Sequence, residues 1–212
     1  MIVAIEGAST ELSLALAEPD GTLIADDGWT SAQRQSAELL PRLLGLLDRS
    51  NRTLGDLGAV AVGLGPGSFT GLRVAMALGK GLALAAGRPL VGIPSLVAWL
   101  DADAEARAAL ARAGAREAYL LVRDDAELRV VDGDALPERA RTDSVAAPGE
   151  LATAFGLARA TAPMGAAAAI ARLAAERLAT DADGDDLERL EPIYVRGPRG
   201  VPTTPEGSVR WL

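Results

Sequence analysis

The sequence contains no histidine and no cysteine. Without histidine, the chain cannot carry Ser-His-Asp or Cys-His catalysis, imidazole acid–base steps, or zinc sites built on imidazole ligands. Without cysteine, it has no disulfide framework and no thiolate nucleophile, which fits a reducing compartment. These two absences exclude several enzyme classes and favour a protein that works through binding.

Aromatic residues are also scarce, at 3% of the sequence, and the net charge is -8 with a pI near 4.7. Proteins that hold RNA alone place clustered Lys and Arg against its phosphates and aromatic rings against its bases. We therefore expect any action on RNA to depend on a partner.

Long uninterrupted apolar runs are missing, because residues such as Lys80 and Arg88 break them before the roughly 20 residues that a membrane-spanning helix needs. Residues 1–10 lack the basic segment and long apolar core of a signal peptide. A chain of 212 residues with 49% apolar composition can bury one large core or two smaller ones. We expect a cytoplasmic protein that does not enter the membrane.

The order of the apolar segments predicts an α/β architecture. Strands are expected at residues 2–5, 12–17, 22–25, 57–64 and 89–93, and helices at residues 31–49 and 72–86. The leucine-rich first helix contains Pro41, where we expect a kink.

The second half of the chain has a weaker pattern. Residues 101–118 are rich in alanine and predict a helix, which gives a boundary between lobe 1–104 and lobe 105–212. A hairpin is expected from residues 119–123 and 128–131, and a further helix from residues 164–178. The proline-containing residues after Gly197 predict an extended tail.

A glycine loop leads into the second helix and consists of Gly63, Gly65, Pro66, Gly67 and Gly71. One explanation is anion binding by backbone N–H groups at a helix N-terminus. A Walker A loop would need Lys and Ser or Thr after its last glycine, whereas Gly71 is followed by Leu and Arg, and a dinucleotide fingerprint would need glycine in place of serine at the next position after Gly67. The other explanation is a tight strand-to-helix turn whose helix is capped by Ser68 or Thr70.

Several motifs give the chain a family resemblance. They are IVAIEGASTELSLAL at 2–16, SAELLP at 36–41, GPGSFTGLR at 65–73, GAREAYLLV at 114–122 and EPIYVRGP at 191–198. Together and in this order they resemble the bacterial TsaB (YeaZ) family. The resemblance implies an actin-like ATPase or ribonuclease H-like fold with two lobes, each a mixed sheet flanked by helices.

The resemblance also implies a function. Members of the family are non-catalytic subunits that bind and support TsaD while it forms threonylcarbamoyladenosine next to the anticodon of tRNAs. The expected partners are TsaD in a heterodimer, TsaE, and a second copy of the chain when it is alone, with tRNA reached only through the complex. The chain is expected to have no cofactor of its own, and ATP or ADP at the partner interface is the one nucleotide site that the resemblance allows.

In the family, the first two helices form a bundle with the partner. The residues predicted at this interface are Leu39, Leu40, Leu43, Leu44 and Leu47 on the first helix and Leu72, Ala75, Met76, Gly79 and Ala83 on the second. Ala75, Gly79 and Ala83 form a row of small residues that lets another backbone come close. That backbone belongs either to a partner helix or to the chain's own sheet, and the sequence leaves both open.

Two enzymatic functions are alternatives. An ATPase or phosphotransferase would use Glu6 with the loops at Ser9 and Ser68, and would need magnesium. The family's usual Asp-Thr-Ser is replaced at the first turn by Glu6, Gly7 and Ala8, which argues against independent ATP hydrolysis. A serine peptidase would need Lys80 as the base for Ser68, and the two lie about three helical turns apart.

No catalytic residue and no metal ligand is therefore assigned. Ser68, Arg73 and Lys80 are expected to contribute to a composite anion or nucleotide pocket at the partner interface, with salt bridging or packing of the two long side chains as the alternative.

Overall fold

The computed structural model of the protein describes residues 1–125 and 127–195. Within them the chain forms two five-stranded mixed sheets flanked by helices. This confirms the predicted actin-like or ribonuclease H-like fold class. The expected tail after Gly197 lies outside the described residues.

The first sheet has the order β3-β2-β1-β4-β5. Its strands are β1 (Ile2–Glu6), β2 (Glu11–Ala17), β3 (Leu23–Thr30), β4 (Ala59–Gly63) and β5 (Leu90–Ile93). The first three are antiparallel neighbours, whereas β1, β4 and β5 run parallel. Strands β1, β2, β4 and β5 are buried along their whole length, because helices cover both faces of this sheet.

Helices α1 (Gln35–Arg49) and α2 (Phe69–Ala86) cover one face of the first sheet. The side chains of Val3 and Ile5 point into this layer, where they meet the buried leucines of α1. Pro41 lies inside α1, and the helix begins four residues later than predicted. The other face is covered by α3 (Ser95–Ala102) and α6 (Ala166–Leu178), which pack on the small and β-branched residues of β1 and β4.

The second sheet has the order β10-β9-β6-β7-β8. Its strands are β6 (Ala108–Arg112), β7 (Glu117–Val122), β8 (Leu128–Asp132), β9 (Ser144–Ala146) and β10 (Arg159–Thr161), with α4 (Glu138–Thr142) and α5 (Gly149–Phe155) between them. The antiparallel pairing of β7 with β8 confirms the predicted hairpin.

The predicted helix over residues 101–118 is wrong. α3 ends at Ala102, and the rest of the range contains β6, the start of β7 and the connections between these elements. Ala108, Ala109 and Ala111 are all buried, with their side chains divided between two apolar clusters on opposite faces of the sheet. Burial on both faces overrides the helix propensity of alanine.

α6 comes late in the chain but packs against the first sheet, where Ile170 and Ala174 meet β1 and β2. The division into residues 1–104 and 105–212 stays a prediction. α6 follows residue 104 in the chain but packs against the first sheet, so the position of an element along the chain does not tell which sheet it covers.

α2 has 18 residues and a mean hydropathy of 1.3, so by length and composition alone it could cross a membrane. A core helix passes the same test, and one face of α2 packs against the first sheet.

Candidate functional site

The glycine loop closes directly onto the turn between β1 and β2. The N–H of Ser68 donates to the carbonyl of Ala8 at 2.7 Å. A Cβ atom on Gly67 would overlap that carbonyl, and one on Gly71 would overlap the carbonyl of Gly7. The two backbone segments are therefore in contact, and glycine is required because no other residue leaves enough space.

The same contacts use N–H groups that an anion site would need. Gly65, in a left-handed conformation with φ of 86°, donates its N–H to Ser95 Oγ at 2.9 Å. Ser68 caps α2, since its Oγ accepts the N–H of Gly71 at 3.2 Å. The tight-turn explanation thus accounts for the loop, and its backbone contacts leave no space for a phosphate between Gly67 and Ala8.

Glu6 ends β1 beside this loop and is completely buried. Its Oε1 accepts the N–H of Ala8, while Oε2 has no hydrogen-bond partner of good geometry among the described residues. Burial raises the pKa of Glu6 to about 7, and the Ala8 N–H and the nearby Ser95 hydroxyl only partly oppose that rise. In residues 1–125 and 127–195 no cluster of three or more Asp or Glu side chains that could hold a metal ion is found.

Apolar side chains connect the two sheets. One cluster joins Ala8, Leu72 and Trp99 to Tyr119 and Leu121 of the second sheet.

Two polar side chains of β2 connect the halves of the molecule. Glu11 Oε1 accepts the N–H of Gly149, the first residue of α5, at 3.0 Å. Ser13 Oγ accepts the N–H of Ala167 near the start of α6, also at 3.0 Å. Each oxygen satisfies a helix N–H that has no partner within its own helix.

Most of the residues predicted at the partner interface lie in the chain's own core. These buried residues are Leu39, Leu43, Leu47, Leu72, Ala75, Met76, Gly79 and Ala83. A Cβ on Gly79 would overlap Val62 Cγ1 of β4, so the row of small residues lets α2 approach its own sheet. Internal packing accounts for these residues, and the interface prediction carries over only to Leu40 and Leu44.

The outward side of the two helices is nevertheless apolar. Leu40 and Leu44 on α1 are 42% and 46% exposed, and Leu84 on α2 is 72% exposed. Ala77 and Gly81 lie on the same side of α2 as Leu84, at spacings of four and three residues, and are also exposed. We call these five residues the α1/α2 face. The interface predicted from the sequence does not include the three residues on α2.

Arg73 and Lys80 contact the chain's own carboxy-terminal segment. Arg73 Nε donates to the hydroxyl of Tyr194 at 3.0 Å, and its guanidinium lies 3.8 Å from the ring centroid of Phe69. Lys80 Nζ donates to the carbonyl of Glu188 at 3.4 Å. Packing and hydrogen bonding within the chain therefore account for Arg73 and Lys80, as the alternative prediction had it. The side chain of Ser68 caps α2.

Comparison with known proteins supplies the family. A family model described as TsaD, tRNA N6-adenosine threonylcarbamoyltransferase, matches residues 30–182. The tRNA threonylcarbamoyladenosine biosynthesis protein TsaB of Escherichia coli K12 is 38% identical over 96 residues, covering 45% of this chain and 41% of the relative. TsaB of Haemophilus influenzae is 40% identical over 75 residues, covering 35% of this chain and 32% of the relative.

Among solved structures, YeaZ from Pseudomonas aeruginosa superposes with a TM-score of 0.70 at 22% identity, covering 91% of this chain and 98% of that one. This likeness supports the fold. In the sequence comparisons, the matched part spans less than half of the length of each curated relative. Since the family model covers residues 30–182 and the curated relatives named TsaB are 38% and 40% identical over the matched parts, the chain belongs to the TsaB (YeaZ) family, within the group that the TsaD model describes.

Proposed function

We propose that the chain is an accessory subunit that binds a TsaD-type threonylcarbamoyltransferase and supports the formation of threonylcarbamoyladenosine in tRNA. The relatives that carry the name TsaB are biosynthesis proteins of this modification. A net charge of -8 suits a subunit that meets another protein and reaches tRNA through it.

The observation that carries this proposal is the α1/α2 face. Three exposed leucines lie on two helices that contact each other, and the exposed small residues Ala77 and Gly81 of α2 allow a partner helix to come close. An apolar surface of this kind is typical of a protein–protein contact. The partner that fits it is a helix pair with its own apolar side, as in the bundle that the family resemblance implies.

A supporting role without chemistry agrees with several features. The chain has no histidine or cysteine, and the glycine loop is packed against the β1–β2 turn. These features also leave the ATPase and peptidase alternatives without a specific supporting observation. We keep ATP or ADP at the partner interface, association with TsaE, and self-association in the absence of TsaD as further proposals.

Co-expression with the TsaD of the same organism, followed by size-exclusion chromatography and calorimetry, tests the docking surface. We expect Leu44→Asp and Leu84→Asp each to weaken binding at least about tenfold, because a carboxylate would be buried against apolar side chains. Leu23→Asp is the matched control, since Leu23 is 47% exposed on β3, outside the two helices.

A threonylcarbamoylation assay with and without the chain tests the supporting role. We expect modification of tRNA by TsaD to fall when the chain is omitted. Unchanged activity would contradict the role, whereas unchanged binding by both leucine variants would contradict only the location of the interface.

A further inference from the structure

Glu6 occupies an unusual position for a carboxylate. It is fully buried, and one of its oxygens, Oε2, has no hydrogen-bond partner of good geometry in the described part of the chain. A Cβ atom on Gly63 would overlap Oε2 and would lie 2.7 Å from Ser95 Oγ. Gly63 and Ser95 therefore pack directly against this side of the carboxylate.

Two hydrogen-bond paths connect Glu6 with the glycine loop. In the first, Oε1 accepts the N–H of Ala8, and the carbonyl of Ala8 accepts the N–H of Ser68, the cap of α2. In the second, the Ser95 hydroxyl faces the carboxylate and accepts the N–H of Gly65. Hydrogen bonds therefore link this one carboxyl group to two residues of the glycine loop, Gly65 and Ser68.

The groups facing Glu6 are neutral. Ser13 is its cross-strand neighbour on β2, Gly63 faces it from β4, Ser95 from α3, and Ala8 from the turn. In the described part of the chain no charged side chain contributes to its titration, and burial alone raises its pKa to about 7. The protonated group needs no counter-charge here, whereas the ionised group needs solvent that the closed loop excludes.

We propose that Glu6 is a proton-dependent latch that keeps the glycine loop closed on the β1–β2 turn while it is protonated and loosens the loop when it releases its proton to water. The latch acts on the amino-terminal end of α2 and does not depend on the identity of any partner.

Amide hydrogen exchange of the isolated full chain, resolved over residues 63–70, tests this inference. Between about pH 6 and about pH 8, we expect the protection factors, corrected for intrinsic exchange, to fall about tenfold in the parent. In Glu6→Gln they stay constant, because the amide cannot ionise. Glu11→Gln is the matched control, because it removes a second buried carboxylate from the same turn and keeps the parental pH dependence.

An equal fall in Glu6→Gln, or no fall in the parent, would overturn the latch. If Glu6→Gln does not fold, a ¹³C titration of the Glu6 carboxyl in the unmodified chain decides the same point. A carboxyl midpoint of about 7 that coincides with the pH at which the protection of residues 63–70 falls supports the latch, whereas a midpoint near the ordinary 4.5, or a fall in protection at a different pH, rules it out.

Discussion

Two glycines of α2 lie two residues apart and face opposite environments. Gly79 contacts Val62 and Leu90 of the first sheet, whereas a Cβ on Gly81 would meet no described atom within 4 Å. Sequence alone shows both as glycines in an apolar helix and does not tell which one the sheet requires. The difference arises from the position of the helix on the sheet, which depends on contacts distant in sequence.

Substitution by alanine should separate these two glycines. We expect Gly81→Ala to raise the free energy of unfolding by about 0.5–1 kcal/mol, because alanine favours helix. Gly79→Ala should lower it by about 1–3 kcal/mol, because the new methyl group overlaps Val62. Urea denaturation followed by circular dichroism measures both changes, and equal effects would contradict the assigned orientation of α2.

Substitution by arginine extends the same comparison to docking. Gly79→Arg should unfold the chain, since it places a charge in the core, so its loss of partner binding would say nothing about an interface. Gly81→Arg should leave the thermal midpoint almost unchanged and still weaken TsaD binding. Calorimetry on the folded Gly81→Arg variant is the decisive measurement, and parental affinity would count against the α1/α2 face.

Glu6 also predicts how stability depends on pH. Its pKa rises from 4.5 to about 7 on folding, so the folded chain holds a proton that the unfolded chain has lost between these values. The contribution of protonated Glu6 to the free energy of unfolding is fully present below about pH 4.5, falls as the pH rises towards 7, and is lost above about pH 7. We expect Glu6→Gln to be more stable than the parent by about 2–3 kcal/mol at about pH 8 and nearly equal at about pH 4, as measured by chemical denaturation at each pH.

At the scale of elements, the cap of α2 offers a further test. Ser68 Oγ accepts the N–H of Gly71, and an unmet donor at this position destabilises the helix. We expect Ser68→Ala to lower the free energy of unfolding by about 1 kcal/mol and Ser68→Asp to restore most of it. If Ser68 were instead a nucleophile, Ser68→Ala would abolish an activity of the isolated chain while leaving stability unchanged.

Elements with a strong local pattern were predictable from sequence. The alternation of α1 leucines, the apolar run before the glycine loop and the hairpin of β7 with β8 all appear near their expected positions. β6 was not predictable, because Ala108, Ala109 and Ala111 carry a helical propensity that local sequence alone cannot override. Only the two apolar layers around the second sheet make it a strand.

For the candidate site, the predicted interface residues mix buried and exposed positions of the same two helices. Periodicity locates a helix and gives its apolar stripe, yet α2 is apolar on nearly every side, so its pattern does not distinguish core from surface. Leu40 and Leu44 were included because the whole leucine run was included. Leu84 required the structure, which shows it on the side away from β4.

At the scale of the whole molecule, α6 makes the two halves interdependent. It covers Ile2, Ala4 and Val91 on the first sheet although it follows the entire second sheet in the chain. Glu11 and Ser13 add hydrogen bonds from β2 to the starts of α5 and α6. The first half therefore lacks a complete core without residues from the second.

A fragment ending at residue 104 tests this dependence. We expect it to lack a cooperative thermal transition and to bind a hydrophobic dye, because one face of its sheet is uncovered. Adding a peptide of residues 163–180 in excess should restore a transition. Cooperative unfolding of the fragment alone would show that lobe 1–104 is an independent domain.

The late position of α6 also matters while the chain is being synthesised. The strands of the first sheet leave the ribosome early, but their second covering helix emerges only after about 80 further residues have been translated. During that interval the small apolar residues of β1 and β4 stay open to chaperones and proteases. A product truncated before α6 would keep these apolar residues exposed. Chaperones and proteases would therefore recognise and clear chains that end late in translation.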